Sequence, residues 1–186
     1  MPAGFVQVVL EESEKIYGGV SGALLTLKDG QATANAGVDR KNAPGNAVVL
    51  WPRDAVASAK RLRKELKERT GKNVGLVIVD SRVTPLRLGT IGVSLASVGF
   101  KRVRDFRGKP DLYGRRARIT FQAVADGIAG AAQLLMGEGR ESTPFVLVRG
   151  ASVEFDGRGG EAETRLSERD CLYMSQILKP SLETRG

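Results

Sequence analysis

Apolar residues fall at helical steps near the start of the chain: Phe5, Val8, Val9 and Ile16, with Glu11, Glu12, Ser13 and Glu14 between them. That spacing predicts a helix over 5–17, stopped by Gly18 and Gly19. Apolar stretches at 24–27 and 32–36 flank Asp29-Gly30, a two-residue hairpin loop. Val48-Val49-Leu50-Trp51 reads as a short buried strand. Pro52 opens a second helix, in which Ala55, Ala59, Leu62 and Leu66 form one stripe and Gly71 ends the run. Residues 74–79 are continuously apolar, the pattern of a strand buried on both faces, and Asp80-Ser81 follow at its end.

Between 82 and 118 the pattern breaks into loops, with short strands predicted at 91–96 and 117–121. Arg107-Gly108-Lys109-Pro110-Asp111 and Tyr113-Gly114-Arg115 read as turns. A buried helix is predicted over 123–136, apolar apart from Asp126 and Gln133, with Gly127 and Gly130 permitting close packing. Gly137-Glu138-Gly139-Arg140 ends it in a flexible turn, which either approaches a ligand or serves as a C-cap. Residues 145–148 predict another buried strand, 156–163 a polar Gly-rich mobile loop, and Ser167 the cap of a short helix over 168–178. A loose tail follows over 180–186. No repeat of 20–50 residues is present, and 186 residues fit one domain, taken as 1–186.

Charge narrows the partners. Lys and Arg number 29 against 21 Asp and Glu, a net charge of +8, which favours anionic ligands. Lys60, Arg61, Arg63, Lys64 and Lys67 cover the polar face of the second helix. Without interleaved aromatics to stack on bases, that face reads as solvated rather than as a nucleic-acid surface. No run of 18 apolar residues and no charged-then-apolar leader occurs, so the expectation is a soluble cytoplasmic protein.

Two scarcities limit the chemistry. The sequence has no histidine, which removes Ser-His-Asp and Cys-His catalysis and every imidazole metal ligand. It has one cysteine, Cys171, read as a half-buried packing residue. Any metal must therefore sit on oxygen donors, which points to magnesium or manganese. Neither G-x-x-x-x-G-K-[ST] nor G-x-G-x-x-G is found.

Asp39 and Asn42 stand three residues apart in Ala34-Asn35-Ala36-Gly37-Val38-Asp39-Arg40-Lys41-Asn42-Ala43-Pro44, where Gly37 and Pro44 oppose regular structure. This is either a shaped loop presenting oxygens to a metal or sugar-phosphate, or a turn in which both side chains bond their own backbone. Asp80, after six mostly apolar residues, must be paired, solvated or bound to a cation. In α/β architecture its place at a strand's carboxyl end would open onto a ligand crevice.

With these residues in view the chain resembles the coenzyme F420-0:gamma-glutamyl ligase family. The resemblance is carried in order by Phe5-Val6-Gln7, Val9-Leu10-Glu11-Glu12-Ser13, Asn35-Ala36-Gly37-Val38-Asp39, Asn42-Ala43-Pro44, and Pro52 with Asp54, Ser58 and Ala59. Asp105, Arg107-Gly108, Asp111, Tyr113-Gly114-Arg115, Val124-Ala125-Asp126, Leu135-Met136-Gly137-Glu138 and Val148-Arg149-Gly150 continue it. It implies a mixed-sheet α+β domain that dimerises and holds GTP and divalent metals in a groove near the dimer interface. Carried over by resemblance, Asp39, Asp80, Ser81 and Glu138 would ligate metal, at two possible sites. Asn42 would contact GTP, and the turn comprising Met136, Gly137, Gly139, Arg140, Glu141, Ser142 and Thr143 would wrap it. Ser81 stands where the family usually has Thr, and Glu138 where it has Gln or Glu. Potassium is a further implied ion.

The resemblance also marks departures. The family's opening tens of residues, with a basic Ser-Lys-type turn that binds part of the GTP, have no counterpart here. The expectation is a chain N-terminally truncated relative to the family: a fragment, a split subunit completed by a separate chain, or a paralogue. Arg82-Val83-Thr84-Pro85 replaces a more Gly-rich pattern, with Arg87 and Gly89 in register. The implied reaction makes an amide between L-glutamate and F420-0: GTP converts a carboxylate into an acyl phosphate, and the amine displaces phosphate. Arg87 or Lys109 would hold the acidic cofactor, and no group is assigned to take the amine proton. The alternatives are a non-catalytic nucleotide-binding member and, from the net charge, a basic nucleic-acid-binding domain.

Overall fold

The computed structural model describes residues 1–156 and 165–177. Two compact units emerge: Met1–Asp39 with Arg165–Gly186, and Arg40–Thr164. The architecture is α+β, and every strand pair among the described residues is antiparallel. The predicted loop over 156–163 and the tail over 180–186 lie, apart from Asp156, outside the described residues.

The first unit contains helix α1 (Ala3–Glu12) and a three-stranded meander of β1 (Lys15–Val20), β2 (Ala23–Lys28) and β3 (Gln31–Ala34). The hairpin predicted at Asp29-Gly30 is present: Lys28 pairs with Gln31, and both loop residues have positive φ, 47° and 65°. This is the primed turn whose twist suits two strands. The helix predicted over 5–17 is shorter. It ends where the Ser13 hydroxyl donates to the Val9 carbonyl at 2.6 Å and the Ser13 N–H to Leu10. Such local bonds compete with helix propagation. Residues 15–20 then form a strand, in which a bulge at Tyr17 absorbs one residue between the pairs Ile16–Thr26 and Gly18–Leu25. A single turn, α4 (Met174–Ile177), stands in place of the helix predicted over 168–178; Leu178 lies outside the described residues.

The second unit is built on the hairpin of β4 (Leu76–Val83) and β5 (Thr90–Val98). Helix α2 (Ala55–Thr70) starts at Asp54, whose carboxylate accepts the Ala57 N–H at 2.7 Å, two residues later than Pro52 implied. It ends at Gly71 with φ 67°, a left-handed C-cap. Val56 and Ala59 pack on Ala96 and Val98. Helix α3 (Val124–Met136) buries only Ala125, Ala129 and Ala132, while Leu134 and Leu135 are exposed, so it is half-buried rather than buried. The close approach is made by Gly92 of β5: a Cβ there would lie 2.4 Å from the Ala129 carbonyl oxygen. Gly127, by contrast, has nothing within 4 Å. A bulge leaves Leu95 unpaired between Ile78–Ala96 and Val79–Ser94. One extra residue reverses side-chain alternation. Accordingly β5 meets α3 through Gly92 before the bulge and α2 through Ala96 and Val98 after it.

Strands β6 (Val103–Asp105) and β7 (Phe121–Ala123) close a separate hairpin around the turns at 107–115. Two predicted buried strands are corrected. Val49 and Leu50 are exposed, and neither 48–51 nor 145–148 forms a strand. Phe145 and Leu147 are 81% and 69% exposed, so an apolar run of four residues was no measure of burial.

Candidate functional site

Asp80 and Ser81 lie inside β4, paired with Val93 and Gly92, and not at the carboxyl end of a parallel strand. The crevice rule for α/β sheets therefore does not apply to them. Their site is made differently. Glu138 follows α3 directly, and packing of α3 on β5 brings it back to β4. Its Oε2 accepts from the Ser81 hydroxyl at 3.4 Å, and the Gln133 amide donates to its Oε1 at 2.5 Å. Lys41 Nζ stands 3.9 Å from Oε2. The Trp51 indole N–H donates to Asp80 Oδ2 at 2.6 Å. Three segments distant in sequence thus meet within the second unit.

The turn after α3 is tied to the same place. The Asn42 amide donates to the Gly139 carbonyl at 3.0 Å. Asn42 itself has φ 58°, which a carboxamide residue tolerates. Gly139 N–H donates to the Glu141 carboxylate at 2.8 Å. That side chain folds over Gly137, where a Cβ would sit 2.2 Å from Glu141 Cδ. Gly137 has φ 74° and ψ −178°, a conformation essentially restricted to glycine. Beyond it, Ser142 and Thr143 bond backward to the Arg140 and Glu141 carbonyls. The turn is exposed apart from the half-buried Met136, Gly137 and Thr143.

Asp39 belongs to the first unit. It is exposed and follows a 3-10 turn, Asn35–Gly37, with three successive positive φ values of 52°, 53° and 69°. This turn is locked from inside its own unit: Asn35 Oδ1 accepts the Leu24 N–H at 2.9 Å, and the buried Thr26 hydroxyl accepts the Ala36 N–H at 2.8 Å. The structure thus brings Ser81 to Glu138 and Asn42 to Gly139. Arg87 is an exposed residue of the β4–β5 loop, and Lys109 lies over the Phe106 ring at 4.9 Å; among the described residues neither bonds to the Glu138 cluster.

In kind, the donors fit a hard cation: carboxylates of Asp80 and Glu138 and the hydroxyl of Ser81. Among the described residues no three His, Cys, Asp or Glu side chains gather tightly enough to hold an ion by themselves. Magnesium does not require that, because it commonly takes one or two carboxylates and completes its shell with water and substrate phosphates.

Sequence reasoning gave Trp51, Gln133 and Lys41 no role at this site. Gln133 carried a signal, as one of two polar residues in an otherwise apolar helix; the other, Asp126, accepts the Ser94 N–H at 3.0 Å. Among the described residues no helix is long and apolar enough to cross a membrane.

Comparison with known proteins places the chain among relatives. The family model described as F420-0:gamma-glutamyl ligase matches residues 1–150. A coenzyme F420:L-glutamate ligase of Archaeoglobus fulgidus is 41% identical over 169 residues, 91% of this chain and 67% of its own length. Ligases of the same name from Methanopyrus kandleri and Methanocaldococcus jannaschii are 40% and 37% identical, over 86% and 89% of this chain. Those matches take in 64% and 66% of the two relatives, so the chain spans about two thirds of the length of the curated relatives it matches. With 150 of its 186 residues inside the family model, the chain belongs to the F420-0:gamma-glutamyl ligase family.

Proposed function

We propose that this chain is a ligase that joins L-glutamate through an amide bond to F420-0, using GTP to activate the carboxylate as an acyl phosphate. A carboxylate is a poor electrophile, and phosphoryl transfer needs placement and charge neutralisation more than covalent help from the protein. That suits a chain without histidine. The carrying observation is the meeting of Ser81, Gln133 and Lys41 at Glu138, with Asn42 bonded to Gly139, in a member of this family.

Each residue has a part. The 137–143 turn, anchored by Asn42, would close over the nucleotide, its exposed bonds exchanging for bonds to GTP. Lys41 supplies a cation for the phosphates. Trp51 and Gln133 fix the orientations of Asp80 and Glu138. Asp80, Ser81 and Glu138 would hold a divalent cation, magnesium or manganese. When bound, such an ion neutralises phosphate charge in the transition state.

The test is incubation with GTP, manganese, F420-0 and L-glutamate, following GDP release and the mass of the amide product. It is run on the chain alone and again with the remaining third of a relative supplied as a separate polypeptide. Product in either arm supports the reading, and the arm in which it forms decides between a self-sufficient ligase and a complementing subunit. Absence of GDP and amide in both arms overturns the ligase.

A further inference from the structure

The basic face of α2 has no part in the reading above, and the fold gives it a shape that the sequence did not predict. Lys60, Arg63, Lys64 and Lys67 line a groove of about 370 Å³, closed by Lys72, Asn73 and Val74 from the connection to β4 and by Val98 and Gly99 at the end of β5. Five cations share this concavity, and no carboxylate is among the lining residues. Among the described residues, Lys64 alone of the five has an ion-pair partner, the exposed Glu68 at 3.7 Å. Helix-end electrostatics accounts for the cations at the C-terminal end, Lys67, Arg69 and Lys72, but not for Lys60, Arg63 and Lys64 converging on the same hollow.

Arg63 shows that the groove is built. Its Nε donates to the Val74 carbonyl at 2.7 Å, which fixes the plane of the guanidinium. Its head lies against Gly99: a Cβ there would stand 2.5 Å from Nε and 2.8 Å from Cζ. Gly99 has φ 89°, so both the turn and the seat for Arg63 require glycine. A planar fork held in place among four flexible ammonium groups matches a ligand with several phosphate oxygens.

We propose that this groove is a second anion site, separate from the Glu138 cluster, and that it takes a compact polyphosphate. No aromatic side chain lines it to stack on a base, so phosphate rather than nucleobase is recognised. The inference does not depend on the ligase reading.

The probe is inorganic tripolyphosphate, titrated calorimetrically into the full chain at about 0.15 M salt. The variant Lys60→Ala/Lys64→Ala/Lys67→Ala removes three exposed groove cations without touching the core. The control, Arg61→Ala/Arg69→Ala, removes positive charge from the same helix outside the groove. The expected result is saturable binding that weakens roughly tenfold or more in the groove variant and about twofold or less in the control. Three results overturn the proposal: no binding, equal loss in both variants, or binding unchanged by the groove variant. A single-stranded RNA oligonucleotide that binds tighter than tripolyphosphate, and loses that binding in the groove variant, also overturns it, because the site would then be a nucleic-acid surface.

Discussion

The turn Asn35–Gly37 and the turn at 137–143 both present oxygen-bearing side chains, and they are held in opposite ways. The first carries three successive left-handed residues, one of them the fully buried Ala36, and is locked by bonds to Thr26 and Leu24 inside a sheet. The second is closed by bonds that are exposed: Asn42 to Gly139, Glu141 to Gly139 and Ser81 to Glu138. A buried bond that loses its partner strands a polar group away from water, whereas an exposed one is replaced by water at little loss. The first turn is therefore preorganised and stability-bearing. The second is free to trade its bonds for those of a ligand, as segments at the low-stability end of a fold do. Substitutions in the second should change activity and leave stability alone; those in the first should do the reverse.

The largest expected effect tests the second turn. Glu138→Gln keeps the shape, and its amide can still meet Ser81 and Gln133, but it removes the charge. Ligase activity should fall roughly 100-fold, about 2.7 kcal/mol of transition-state stabilisation, with the melting temperature unchanged. A variant that melts early and keeps its activity would make Glu138 a structural residue and collapse the contrast.

Next comes the first turn. Thr26 is fully buried; its hydroxyl donates to the Thr33 carbonyl at 2.9 Å and accepts from Ala36. Thr26→Val fills the same volume but leaves the Ala36 N–H without its partner, which costs about 1–3 kcal/mol. Urea unfolding should show that loss in the midpoint. A shift under half a kilocalorie or so would mean that Ala36 is held by something other than Thr26.

The same contrast explains what the sequence revealed. The Asp29-Gly30 hairpin and the Gly71 cap were legible because the chemistry of one or two residues decides each. Residues 15–17 were misread as helix, since Ser13 ends α1 by a bond to Val9 that apolar periodicity does not register. The run 145–148 was misread because hydrophobicity reports a preference for burial and not the presence of a neighbour. At the candidate site, Ser81 and Glu138 came from resemblance alone. Trp51 and Lys41 bond to residues 29 and 97 positions away, pairings that apolar periodicity does not register.

A smaller effect separates anchoring from binding in the second turn. Asn42→Ala removes the amide that holds Gly139, an exposed bond contributing about 0.5–1.5 kcal/mol at most. Stability should hold within error, while the KM for GTP rises roughly two- to tenfold and kcat changes little. Equal loss in kcat and kcat/KM would instead place Asn42 in contact with the reacting phosphate.

The smallest effect is a pH dependence confined to the first unit. Burial, together with the carboxylates of Glu168 and Glu14, pushes the Tyr17 phenol up to about 12. A pKa raised in the folded state means that Tyr17's contribution is fully present below pH 10, the unfolded value, and is lost as pH climbs toward 12. Glu168 works at the other end: the Lys15 ammonium, 2.8 Å away, holds its carboxyl below the usual range. Its contribution is present above the ordinary carboxylate pKa and fades as pH falls through the lowered one; being exposed, the pair counts for little. Tyr17→Phe should therefore flatten the alkaline fall of the urea midpoint between pH 10 and 12, and leave the acid limb as it is. An identical alkaline limb in the variant would show that the phenol ionises freely.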